Sequence, residues 1–162
     1  MKKFNLNSEL IQTLVTCNVL NKENLRLDDK DLKMIYTKAK NLYDAGKYAD
    51  ARALFSTLTL LERNNPTFIF GLGSAALLLN EFDEAIAAFM QYAALVPDDP
   101  IVYFYISRCY EKKKDVPSTL IALQAVVERA GEKSKYRDVK NRALLVLNNF
   151  SKKRKESTKS PK

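Results

Sequence analysis

Residues 34 apart in this chain are alike again and again. Ala51, Ala85 and Thr119 share that spacing, as do Phe55, Phe89 and Leu123. Tyr48, Phe82 and Val116 follow it, and so do Gly46, Asn80 and Lys114. Pro66 and Pro100 are also 34 apart. A period held over so many positions confines the chain to a tandem repeat. Each unit then holds half a core, and neighbours must stack to close it. The composition says what the units are made of. Only 4 glycines occur among 162 residues, and Ala, Leu, Lys and Glu are abundant, so the units are helical and the class is all-α.

The pattern along the chain predicts eight helices. The first spans about 8–20, with Leu10, Ile11, Leu14, Val15 and Val19 on an apolar face and Ser8 as N-cap. A linker at 21–27 leads to Asp28, Asp29 and Asp31, carboxylates suited to a helix start. Six helices follow at about 29–45, 48–63, 67–79, 82–96, 100–112 and 116–130. Pro66, Pro100 and Pro117 stand where helices begin and a missing N–H costs nothing. A last helix at about 134–150 carries Tyr136, Val139, Ala143, Leu147 and Phe150 and closes the stack. The expected organisation is an arm at 1–27, repeats at 32–65, 66–99 and 100–133 within 28–133, a cap at 134–150 and a disordered basic tail at 151–162.

A period of 34 is that of the tetratricopeptide helix–turn–helix unit, and the middle unit resembles that family best. Ile69, Leu72, Gly73, Ala76, Ala85, Phe89 and Pro97 stand at its signature positions. The first unit offers Ile35, Ala39, Leu42, Gly46, Tyr48, Ala51 and Phe55; the third offers Tyr103, Ile106, Ser107, Tyr110, Thr119 and Leu123. The signature Trp is absent, and Thr119 replaces a small Ala. The small residues Ala39, Gly73 and Ser107 let paired helices approach closely, so these columns are structural. The resemblance implies three repeats in a short right-handed solenoid with a concave groove.

Several functions are excluded. Histidine is absent, which removes histidine-based catalytic triads and histidine metal ligands. Cys17 and Cys109 are too far apart for a zinc spacing, and both are read as reduced. No Gly-rich phosphate loop occurs. The expectation is no enzyme, no catalytic residues, no metal and no cofactor. Neither a signal peptide nor a membrane span is expected, and the chain is placed in the cytoplasm. The net charge of +8 is concentrated in 151–162, which hold six bases and one acid. Such a run is ordinarily solvated, so no specific nucleic-acid partner is expected.

The first helices of units two and three carry surplus apolar residues. Residues 68–79 are apolar all round, and 101–106 read Ile-Val-Tyr-Phe-Tyr-Ile. Groove-facing positions carried over from the family are Lys33, Tyr36, Thr37, Lys40, Tyr43 and Asp44 in unit one. Unit two gives Thr67, Phe70, Gly71, Ser74, Leu77 and Leu78, and unit three gives Ile101, Phe104, Tyr105, Arg108, Glu111 and Lys112. From these, Tyr36, Lys40, Tyr43, Phe70, Ser74, Leu77, Leu78, Phe104, Tyr105 and Arg108 are the candidate peptide-binding residues. Rigid aromatics with polar tips suit an extended apolar segment. The competing occupants of the groove are the N-terminal helix and plain inter-repeat packing.

The run 35–55, Phe-Gly-Leu-Gly-Ser-Ala at 70–75 and Glu-Phe-Asp-Glu-Ala-Ile at 81–86 resemble a narrower family. These are the class II chaperones of type III secretion, which hold hydrophobic translocator proteins. The resemblance implies that an extended translocator segment lies in the groove, with Tyr36 and Tyr43 walling the first pocket. Position 40 is usually apolar or aromatic in that family; Lys40 here implies a polar or acidic residue in the ligand. It also implies a homodimer through residues 8–20. The alternatives are a generic repeat scaffold or adaptor in secretion or envelope assembly, and a transcriptional co-activator partner.

Overall fold

The computed structural model describes residue 23 and residues 25–157, with side chains as far as residue 152. The helix expected at 8–20 lies outside the described residues. Every regular element among those described is helical: α1 Asp29–Asp44, α2 Tyr48–Leu61, α3 Pro66–Leu78, α4 Phe82–Leu95, α5 Pro100–Lys112, α6 Val116–Ala130 and α7 Arg137–Ser157. A 3₁₀ turn at Ser134–Tyr136 precedes α7. The chain divides into two compact units, residues 1–75 and 76–162.

In the first unit, α1 starts on a reciprocal cap. Asp28 accepts the N–H groups of Lys30 and Asp31 at 2.8 and 2.9 Å, and Asp31 accepts the Asp28 N–H at 2.9 Å. These bonds satisfy donors that a helix start leaves without partners. α1 stops at Gly46, whose φ of +76° allows the Lys47 N–H to return to the Leu42 carbonyl at 2.9 Å. α2 then lies against α1. Leu32, Ala39, Ala51, Phe55, Leu58, Leu61, Phe68 and Ala75 form the core. Ala39 and Ala51 are fully buried, as their small size requires at a close helix crossing. Gly71 faces this core, not a groove. A Cβ there would stand 2.5 Å from the Phe55 ring, so the ring rests directly on the α3 backbone.

The second unit repeats the same turn. Asn80 has φ +63° with the Glu81 N–H bonded to Ala76, and Lys114 has φ +61° with the Asp115 N–H bonded to Tyr110. The column Gly46, Asn80, Lys114 is therefore a column of left-handed helix stops. Asp115 caps α6 by accepting the Ser118 N–H at 3.1 Å and hydroxyl at 2.7 Å, and this bonding lowers its pKa. Thr119 fits the small-residue column because its buried hydroxyl donates to the Asp115 carbonyl at 2.7 Å. Tyr92 of α4 donates at 2.8 Å to Asp99, whose other oxygen caps α5.

α7 packs Val139, Ala143, Val146 and Leu147 onto a core that includes Leu123 and Val126 of α6. It runs to Ser157, into the stretch expected to be a disordered tail. No Gly or Pro stands between residues 132 and 160, and Lys, Arg and Glu are good helix formers, so the basic run continues the helix.

Candidate functional site

All ten candidate residues lie on α1, α3 and α5, the first helices of the three repeats. The first unit holds Tyr36, Lys40, Tyr43, Phe70 and Ser74. The second holds Leu77, Leu78, Phe104, Tyr105 and Arg108.

In the first unit, positions 36, 40 and 43 follow the four- and three-residue steps of one helix face. The Tyr36 ring lies 6.1 Å from Phe55 and 5.8 Å from Phe68. Tyr43 meets Tyr48 edge to face at 5.4 Å. Both tyrosines are half-buried, so packing sets each ring while part of it remains open. Lys40, between them in register, pairs with Asp44 at 2.7 Å. That hydrogen bond, reinforced by the Asp44 charge, holds the Lys40 ammonium above its usual pKa. Phe70 is half-buried and Ser74 is buried.

A cavity of about 380 Å³ opens beside Tyr36. Leu32, Lys33 and Tyr36 of α1 face Asn65, Thr67 and Phe68 across it, giving an apolar floor and a polar rim. Phe68 was missing from the candidates. It sits in the same repeat column as Val102, a core position, and the family's groove offsets pass over it.

In the second unit, Tyr105 packs on Phe89 with ring centroids 5.4 Å apart. Phe104 lies against the α6–α7 core, and Leu77 is buried. Leu78 is 41% exposed, and Arg108 is exposed. The apolar surplus of 68–79 is therefore largely taken up by packing: Phe68, Ile69, Ala75, Ala76 and Leu77 are all buried. The surface left over is Tyr36, Tyr43 and Phe70 in the first unit, and Leu78 and the half-buried Phe104 and Tyr105 in the second.

These surfaces present half-buried aromatic rings beside aliphatic side chains. Among the described residues, no three Cys, Asp or Glu side chains gather as a metal site. Cys109 is buried, and burial pushes its thiol up to about 11, which leaves it protonated and unreactive at neutral pH. No helix among the described residues is long and apolar enough to cross a membrane.

Paired helices and a 34-residue register define a tandem-repeat protein. The tetratricopeptide repeat model matches residues 36–100 and 80–134. The chain belongs to the tetratricopeptide-repeat family.

Low calcium response locus protein H of Yersinia pestis is 26% identical over 116 residues, which is 72% of this chain and 69% of that protein. Among solved structures, this fold is shared with the Yersinia enterocolitica type III secretion translocator chaperone SycD. In complex with a peptide of the translocator YopD, SycD matches with TM-score 0.74 at 24% identity, covering 78% of this chain and 97% of that one. The same chaperone in an alternative dimer also gives TM-score 0.74 at 24% identity, covering 78% and 96%. PcrH of Pseudomonas aeruginosa, in complex with the chaperone-binding region of PopD, gives TM-score 0.74 at 21% identity, covering 79% and 96%.

Proposed function

We propose that this chain is a cytoplasmic chaperone of a type III secretion system. It binds an extended apolar segment of a hydrophobic translocator and keeps that protein from aggregating or associating before export. The reading is carried by one coincidence. The proteins that share this fold include chaperones solved with translocator peptides, and the first helices here retain exposed ring surface at Tyr36, Tyr43 and Phe70. The mechanism is sequestration. Burying apolar ligand side chains contributes about 25 cal/mol per Å², against the cost of ordering an extended chain.

By the groove offsets carried over from the family, the proposed ligand contacts are Tyr36, Lys40, Tyr43, Phe70 and Ser74 in the first unit and Leu77, Leu78, Phe104, Tyr105 and Arg108 in the second. Burial ranks them. Tyr36, Tyr43, Phe70 and Tyr105 supply contact area, while Ser74 and Leu77 shape the wall behind it. Lys40 and Asp44 form a charged pair within the tyrosine stretch, which suits a polar ligand residue there. The chain acts as a homodimer, with residues 8–20 as the contact, and as a binding protein without catalytic residues or a cofactor.

Co-expression with a translocator fragment tests this. Stoichiometric co-purification, with the fragment protected from protease, is the expected result. A folded chain that captures nothing points instead to a scaffold that recognises folded partners.

A further inference from the structure

α7 carries more large apolar side chains than its packing uses. Val139, Ala143, Val146 and Leu147 belong to the α6–α7 core. Leu144 and Leu145 stand outside it, at 36% and 63% exposure. Arg142, Leu145, Asn149 and Lys152 follow the three- and four-residue steps of one outward face, and all four are exposed. The charge along this helix has one sign. Between Asp138 and Glu156 the sequence holds six bases and no acid. One of the six, Lys140, is engaged with the Gly131 carbonyl at 2.7 Å and Glu132 at 2.8 Å. Four others are consecutive, Lys152, Lys153, Arg154 and Lys155, and the helix backbone continues past them to Ser157.

A basic run in a loop is ordinarily solvated. Here it continues a helix that already displays two adjacent leucines. Each leucine gains by leaving water, and each base gains by nearing negative charge. The headgroup zone of a lipid bilayer supplies both at one depth. Nucleic acid would supply phosphates and leave Leu144 and Leu145 in water. We propose that the outer face of α7, from Arg142 to Lys155, docks on an anionic lipid bilayer. The helix lies along that surface and does not cross it, in keeping with its length and polarity. The basic run supplies most of the attraction, since each Lys or Arg near such a surface strengthens binding roughly fivefold. The leucines turn adsorption into shallow insertion. This face uses none of the ten candidate residues, which all lie on α1, α3 and α5.

The test is flotation of the full chain with vesicles at low salt. Vesicles of phosphatidylglycerol and phosphatidylcholine in equal parts are expected to carry the chain upward, and vesicles of phosphatidylcholine alone to leave it behind. Salt of about 1 M is expected to weaken binding roughly tenfold or more. Lys152→Glu combined with Lys153→Glu is expected to weaken it by a similar factor. Leu144→Ser combined with Leu145→Ser, at positions exposed enough to accept a polar residue, is expected to weaken it roughly fivefold at unchanged helicity. A wild-type chain that does not float with the mixed vesicles overturns the proposal. Full flotation of the leucine variant overturns it too, because charge alone would then account for binding. A chain that binds a DNA duplex but not the mixed vesicles replaces the bilayer with nucleic acid. Capture of a translocator fragment, measured in parallel, is expected to be equal in wild type and both variants. Its absence in all three would strike the chaperone reading and leave the docking face standing.

Discussion

Phe55 and Gly71 in the first unit occupy the repeat columns that Phe89 and Tyr105 occupy in the second, 34 residues further on. The junctions are solved differently. Phe55 rests on bare backbone, at a distance no Cβ tolerates, whereas Phe89 is covered by the tyrosine ring at 5.4 Å. Both phenylalanines end up buried, at 4% and 0% exposure. One register thus supports two packings, ring on glycine and ring on ring. The choice also changes the surface each unit presents. Position 71 presents no side chain, so the open rings of the first unit are Tyr36, Tyr43 and Phe70, while Tyr105 is a partly open ring in the second.

This contrast can be broken from either side. Phe89→Ala is expected to be the most damaging change, costing about 3–5 kcal/mol in urea unfolding, because a fully buried ring leaves a cavity under Tyr105. Phe55→Ala is expected to approach the same loss; a loss under ~1 kcal/mol would show that the glycine junction is soft. Gly71→Ala forces the Phe55 ring to move. Overpacking of roughly 1–3 kcal/mol is expected to outweigh the ~1 kcal/mol that Ala gains over Gly in a helix. Net stabilisation by Gly71→Ala would mean that Phe55 has room to retreat.

The turns sharpen the comparison at smaller scale. Gly46 adopts its left-handed φ without cost, but Lys114 adopts φ +61° with a side chain. Lys114→Gly is expected to raise stability by about 0.5–1 kcal/mol, read as a higher melting temperature. Asn80→Gly is expected to gain less, since Asn tolerates this conformation better than Lys.

The smallest effect concerns Tyr92. Burial and its bond to Asp99 push the phenol from 10.0 up to about 12. A raised folded-state pKa means the contribution is fully present below pH 10 and is lost as pH rises towards 12. Ultraviolet titration is expected to show a late component that is absent in Tyr92→Phe. If Tyr92→Phe removes no late component from the titration, the α4–α5 tie does not hold in solution.

Much of this architecture is legible in the sequence because the 34-residue period carries both the helices and their partners. The ends of α1 to α6 fall within about two residues of the limits expected from Pro, Asp and apolar spacing. The extent of α7 was not legible, because a lysine-rich run reads as solvated tail by charge alone while its helix propensity lets an existing helix continue. Gly71 was misplaced for a related reason. A family offset states which way a side chain points, and glycine has none, so the ring of Phe55 decides what that surface meets. Phe68 escaped notice because its column is core in the third repeat, yet at the mouth of α3 it also lines a cavity.

The central claim is that the aromatic first helices bind an extended apolar segment. Calorimetric titration of the full chain with the N-terminal segment of a hydrophobic translocator tests it most directly. The account predicts saturable binding with a negative heat-capacity change, the mark of apolar burial, and an affinity at least roughly tenfold weaker in Tyr43→Ala and in Phe70→Ala at unchanged helicity. Binding of equal affinity in wild type and both variants would contradict it, and would place the ligand elsewhere on the chain.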